Sequence, residues 1–143
     1  SMFYLGRGLD YVIAVEGALK SKEISYIHSE AFASGELKHG TIALITDGVP
    51  VVVNATQSDL FEKSVSNIKE VTSRGAYVIA VAKEGNTVVE EVADEVFYIP
   101  DVEDDYAGFP TIVIHQLLAY YLSKLKGNDV DKPRNLAKSV TVE

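Results

Sequence analysis

The run Val51-Val52-Val53 within "VVVNA" has no polar alternation, and a strand that is apolar at consecutive positions must be covered on both faces. A parallel sheet sandwiched by helices provides that environment. Four other β-rich runs accompany it: "FYLG" at 3–6, "TIALI" at 41–45, "YVIAVA" at 77–82 and "EVFYIP" at 95–100. Helical patterns at 11–27, 58–74, 87–93 and 110–126 fall between and after them. Strand alternating with helix predicts an open α/β sandwich. Asp47-Gly48 marks a turn, while Gly75 and Gly127 stop the second and last helices.

At 143 residues, 47% of them apolar, the chain suits one domain with a real core. Its 13 lysines and arginines against 21 acids leave −8, a sign that repels nucleic-acid backbones and anionic lipid, so neither is expected as a partner. No apolar window reaches the roughly 18 residues of a membrane span and no signal peptide opens the chain, so the expected location is the cytoplasm. Cysteine is absent, which removes disulfides, thiolate metal sites and a cysteine nucleophile. The acidic "VEDDY" run, 102–106, reads as a hydrated loop, and neither metal nor cofactor is expected. Ser1-Met2 reads as a cloning remnant ahead of a chain excised from something longer.

The first helix raises a chemical question. Glu16, Lys20 and Glu23 fall within about 60° of one another at about 100° per residue. Val12, Ile13, Leu19, Ile24 and Ile27 share that half-turn, with Ala14, Ala18, Ser21 and Ser25 opposite. Charges among aliphatics are costly unless paired or bordering a cleft. They form either an ordinary exposed ion pair or a proton-transfer site, with a carboxylate base beside an ammonium that steadies a developing oxyanion. His28 and His115 read as structural, at a helix end and in an apolar pattern respectively. Gly6-Arg7-Gly8 is too short for a phosphate-loop signature. It reads as a bend at the carboxyl end of a strand, where open α/β sheets place ligands.

Two segments are more specific than any spacing: "EGALKSKEISYIHSEAFASGELKHG" and "DKPRNLAKSVTVE". With "SNIKEVTSRG" and "LLAYYLSKLKGNDVD" they closely resemble the last part of the glutamine–fructose-6-phosphate aminotransferase, or glucosamine-6-phosphate synthase, family. The resemblance implies a sugar isomerase (SIS) fold, a three-layer sandwich with a parallel five-stranded sheet flanked by helices. It implies that residues 3–127 are the second of two SIS subdomains and that 128–143 form a tail folding over the active site. The amino-terminal glutaminase domain and the first SIS subdomain, whose loop holds the substrate phosphate, are then missing partners. The family makes glucosamine 6-phosphate from fructose 6-phosphate and glutamine.

By motif, the resemblance gives Glu23 the role of the base that shifts a proton between adjacent sugar carbons, and Lys20 that of its cationic neighbour. His39 takes the ring-opening role, reaching the site of the opposite subunit of a homodimer. Lys138 takes that of a lysine acting at the sugar carbonyl, which requires a lowered pKa. Glu16, Arg134 and Ala137 match positions that hold the sugar and the tail. Ser21 departs from the family's usual leucine. A deglycase on the same fold, or a non-catalytic sugar-phosphate sensor, would share the architecture, and the isolated fragment is expected to turn over little.

Overall fold

The computed structural model describes residues 1–135. Five strands, β1 (Met2–Gly6), β2 (Ser29–Ala33), β3 (Pro50–Ala55), β4 (Tyr77–Lys83) and β5 (Glu95–Ile99), form one sheet. Every pairing is parallel and the spatial order is β2-β1-β3-β4-β5. Three helices complete the sandwich: α1 (Leu9–Ser25), α2 (Phe61–Thr72) and α3 (Gly108–Leu125). Among the described residues no helix is long and apolar enough to cross a membrane.

Period-two geometry splits the apolar runs between two cores. Phe3, Leu5, Val51, Val53 and Val78 point to the side where Val65, Ile68 and Val71 of α2 cover them. Tyr4, Val52 and Val81 point to the other, under Ala14 and Ala18 of α1 and Ile114 and Leu118 of α3. The consecutive valines of β3 therefore serve both layers, as their lack of alternation requires.

One strand expectation is overturned. "TIALI" is not in the sheet; Thr41–Leu44 is a 3₁₀ segment, and β2 is formed instead by "SEAFA". The run at 41–45 is apolar because Ile42 and Ile45 cover the α2-side core. An apolar run alone cannot separate a strand from a buried turn of helix. The edge strand that replaces it has no strong β signal, since only Ser29 is fully buried. The segment at 87–93 likewise forms 3₁₀ helix, Thr87–Glu91, and Asp104–Tyr106 adds another short 3₁₀ turn before α3.

Helix α1 turns its small side inward. Asp10, Ala14, Gly17, Ala18, Ser21 and Ser25 are buried, while Val12, Val15 and Leu19 are exposed. A β-carbon on Gly17 would stand 2.8 Å from His115 of α3 and 3.0 Å from Tyr4 of β1, so nothing larger than glycine fits. The Tyr4 hydroxyl and the Ser21 hydroxyl hydrogen-bond at 2.7 Å, which accounts for serine at a buried helical position. Burial pushes the Tyr4 pKa up to about 12.

His115 is fully buried, its ring edge-on to Tyr4 at a centroid distance of 5.3 Å, and neither ring nitrogen has a hydrogen-bond partner among the described residues. Burial lowers its pKa from 6.5 to about 4. The unfolded chain therefore takes up this proton first as pH falls, so the stability tied to a neutral His115 is intact above pH 6.5 and drains away down to pH 4. The loss is expected to be on the order of 3 kcal/mol. Urea unfolding of wild type and His115→Phe across this range checks it, and the variant's acid limb should be flatter by that amount.

Candidate active site

The charged stripe lies on the outward face of α1, opposite the buried small residues. The Lys20 Nζ stands 3.2 Å from the Glu16 Oε1 and donates to the Glu23 Oε2 at 2.8 Å. One ammonium thus bridges carboxylates on successive turns. The side chains are partly accessible, 44% for Glu16, 28% for Lys20 and 24% for Glu23, so the group is neither sealed nor fully solvated. The hydrogen bond that Lys20 donates to Glu23 raises the Lys20 pKa, and Glu16 adds to it against partial burial. Lys20 is a fixed cation and cannot itself be a base at neutral pH.

Glu23 opens onto a hollow of about 550 Å³ that it lines with Leu19, Tyr26, His28 and Arg134. The hollow forms where α1 stops. Tyr26 adopts φ 58°, the left-handed conformation that ends a helix. The carbonyls left over at that end are met from elsewhere in the chain. Ser123 Oγ donates to the Ile24 carbonyl at 2.8 Å, Lys126 Nζ to the Ser25 carbonyl at 2.6 Å, and Asn128 Nδ2 to the Ile24 carbonyl at 3.3 Å. The end of α3 is thereby tied to the end of α1, and the chain beyond it is delivered to the hollow. There the Arg134 guanidinium lies 4.2 Å from the centroid of the Tyr26 ring, and the Arg134 amide donates to the Tyr26 hydroxyl at 2.9 Å.

Glu23 and Arg134, distant in sequence, thus line one hollow at the end of α1, with Lys20 and Glu16 on the preceding turns of the helix. His39 does not join them. It ends the 3₁₀ segment Ser34–His39 after β2, with its Nδ1 2.7 Å from the Glu36 Oε2, and its side chain is 73% exposed. Because α1 runs back along the sheet and β2 runs forward again, His39 projects beyond the opposite end of the sheet from Glu23. Ala137 and Lys138 lie outside the described residues. His28 is not at a helix end; it follows α1, pairs with Glu30 at 3.6 Å and lines the hollow. The contributions of Tyr26, His28, Lys126 and Asn128 were not read from the sequence. The available signal was that a helix ending at Ser25 needs carbonyl partners.

The carboxyl end of β3, where such sheets place ligands at the point of strand-order reversal, is filled from within. The buried Asp10 carboxylate accepts from the Thr56 amide at 2.8 Å, the Gln57 amide at 3.3 Å and the Thr56 hydroxyl. Burial pushes the Asp10 pKa up, against those hydrogen bonds. Asp104 accepts from the Ser58 amide and hydroxyl, both at 2.8 Å, and from the buried Lys83. The Lys83 hydrogen bond, first among these, holds the Asp104 pKa down. The "VEDDY" acids are therefore structural at Asp104. The loop amides that an anion would need are already occupied.

A family model described as the SIS domain matches residues 1–125. The chain is 65% identical over 142 residues to the glutamine–fructose-6-phosphate aminotransferase [isomerizing] of Clostridium acetobutylicum and 63% identical to that of Caldanaerobacter subterraneus subsp. tengcongensis. In both cases 99% of the chain aligns with 23% of the relative, so it spans less than a quarter of their length. Among solved structures it is similar to the C-terminal domain of glucosamine-fructose-6-phosphate aminotransferase from Francisella tularensis. That match has a TM-score of 0.84 and 43% identity, over 92% of this chain and 37% of that one. A glucosamine-6-phosphate deaminase from Thermotoga maritima gives 0.77 and 29%, over 97% and 40%.

The Tyr26–Arg134 contact yields a direct test of how the hollow is closed. Tyr26→Phe keeps the ring under the guanidinium and removes the hydroxyl acceptor. Hydrogen exchange at the Arg134 amide should speed up about tenfold, with core amides of β3 unchanged.

Proposed function

The chain belongs to the SIS domain family, and we propose that it is the second sugar isomerase domain of a glutamine–fructose-6-phosphate aminotransferase. In this reading it works in the cytoplasm on fructose 6-phosphate and contributes to making glucosamine 6-phosphate. One observation carries it. The Glu16–Lys20–Glu23 group faces outward, with Glu23 on a hollow that Arg134 shares, in a chain 65% identical to an enzyme of that name.

Moving a proton between C1 and C2 of an open-chain sugar needs a base above both carbons and a cation near the oxygen that gains charge. Glu23 is the base. Lys20, held as an ammonium, stabilises the enolate-like oxygen. Glu16 and Arg134 hold the sugar and the tail together with Ala137, and Lys138 acts at the carbonyl. The aminotransfer step also needs ammonia, and the substrate phosphate needs a holder, because the carboxyl-end loop of β3 is filled by Asp10 and Asp104. A glutaminase domain and a first SIS subdomain supply these. The exposed Val12, Val15 and Leu19 beside the stripe are apolar surface for that subdomain to cover.

Opposite placement of His39 and Glu23 on the sheet supports a homodimer in which His39 opens the ring in the partner's site.

The activity is tested in a chimera, with this chain replacing the matching segment of the Clostridium acetobutylicum relative. Glu23→Gln should cut isomerisation by about a thousandfold or more while glutamine hydrolysis persists. Normal isomerisation in that variant would remove Glu23 from the mechanism. Shared sites are tested by mixing two inactive chimeras, Glu23→Gln and His39→Asn. A heterodimer then holds one intact site of two, so random pairing should restore about a quarter of wild-type activity. No recovery would place His39 and Glu23 in the same subunit's site or outside the reaction.

A further inference from the structure

A second hollow lies across the sheet from the charged stripe, on the α2 side. Its volume is about 250 Å³ and its lining is polar: Arg7 after β1, Ser34, Gly35 and Lys38 after β2, and Lys63 and Asn67 of α2. Glu70 completes it. Three segments that leave the carboxyl ends of neighbouring parallel strands therefore converge here. This is the sheet end where α/β folds gather ligands, displaced from the β3 loop that Asp10 and Asp104 occupy.

Charge and satisfaction both point to an anion. Arg7, Lys38 and Lys63 against Glu70 make three positive charges and one negative, a local excess of two positives on a chain of net charge −8. Lys38 pairs with Glu70 at 3.5 Å. Among the described residues, neither Arg7 nor Lys63 has a carboxylate within ion-pair distance. The Arg7 Nε donates to the Asn67 Oδ1 at 2.9 Å, which orients the guanidinium and leaves its terminal nitrogens as donors. Gly35 makes room for that group, since a β-carbon there would lie 3.3 Å from the Arg7 Nη1. Ser34 is 2% exposed, and its hydroxyl has no partner within the described residues. A buried hydroxyl with no partner is a cost to the free fold, and a ligand oxygen would remove it.

We propose that this hollow is an anion site that takes the dianion of a phosphate monoester. A tetrahedral dianion suits a guanidinium with free donors, two ammonium groups and a hydroxyl better than a monovalent ion does. Bound there, it ties together the segments after β1 and β2 and helix α2. The 3₁₀ segment Ser34–His39 would then be held at its first residue and at Lys38, next to His39. The site does not depend on the aminotransferase reading, because it shares no residue with the Glu23 hollow.

The test uses the 143-residue chain, ¹⁵N-labelled, titrated with inorganic phosphate at pH 8 and, in parallel, with sodium chloride at equal ionic strength. The expected result is saturable movement of the Arg7, Ser34, Gly35, Lys38 and Lys63 amides with phosphate only. Arg7→Gln and Lys63→Gln should each weaken binding about tenfold, and Lys124→Gln should leave it unchanged. Ser34→Ala should weaken phosphate binding while raising the melting temperature of the free chain, a pairing that a structural hydroxyl would not give. Equal movement with chloride, unsaturable drift over all basic residues, or unchanged affinity in Lys63→Gln and Ser34→Ala would overturn the proposal. Lys63 and Ser34 decide it should Arg7→Gln fail to fold.

Discussion

The contact between Gly17, His115 and Tyr4 decides which side of α1 the rest of the molecule can use. Interior packing leaves no room for a side chain at Gly17, so α1 and α3 approach closely along small residues: Ala14, Ala18 and Ser21 on α1, Thr111, Ala119 and Ser123 on α3. The sheet-facing side is consumed by this approach. Leu9, Val12, Val15 and Leu19 then stand outward beside the charged side chains. The Glu16–Lys20–Glu23 group is displayed because the opposite face is crowded. The neutral histidine in the crowd is tolerated because its ring fills the volume that Gly17 vacates.

The same packing separates two ends of the sheet into different roles. At the carboxyl end, Asp10 and Asp104 close the loop after β3 by accepting its amides, which fixes the start of α1 to the sheet. At the other end, α1 stops at a left-handed Tyr26 and the last residues of α3 cap its carbonyls. A rigid helix held at both termini is a suitable mount for a proton-transferring group, since misplacement by an ångström costs rate heavily. His39, on an exposed 3₁₀ segment beyond the carboxyl end, is mounted very differently.

Much of this was legible in the residues. The unalternating valines of β3 demanded a sheet covered on both sides, and the two cores each take half of them. Spacing alone put Glu16, Lys20 and Glu23 on one face. It could not say which face of α1 was buried, because aliphatics outnumber small residues there and ordinary amphipathic logic favours burying them. Only the glycine's tight contacts reverse that logic, and those are tertiary. "TIALI" misled for a related reason: a short apolar run covering a core looks the same whether extended or coiled, and an edge strand such as "SEAFA" needs little apolar character. The basic hollow around Arg7 was invisible because its residues come from three separate segments. The overall negative charge also pointed away from anions.

The arrangement around Lys20 has a chemical logic that its modest contribution to stability does not explain. Partly exposed ion pairs of this kind typically add well under 1 kcal/mol, so two carboxylates around one ammonium are a poor device for holding a helix. They are a good device for holding a charge in place while a neighbour changes. An ammonium has three donors, and here Glu16 and Glu23 face two of them, leaving one for the substrate oxygen of the proposed mechanism. When a base in the position of Glu23 takes up a proton, Lys20 loses the partner that most stabilises its charge. Glu16, 3.2 Å away on the preceding turn, remains beside the ammonium and keeps it located. On the proposed mechanism Glu16 therefore positions Lys20 in addition to holding the sugar. That accounts for a second carboxylate on a face where one base would suffice.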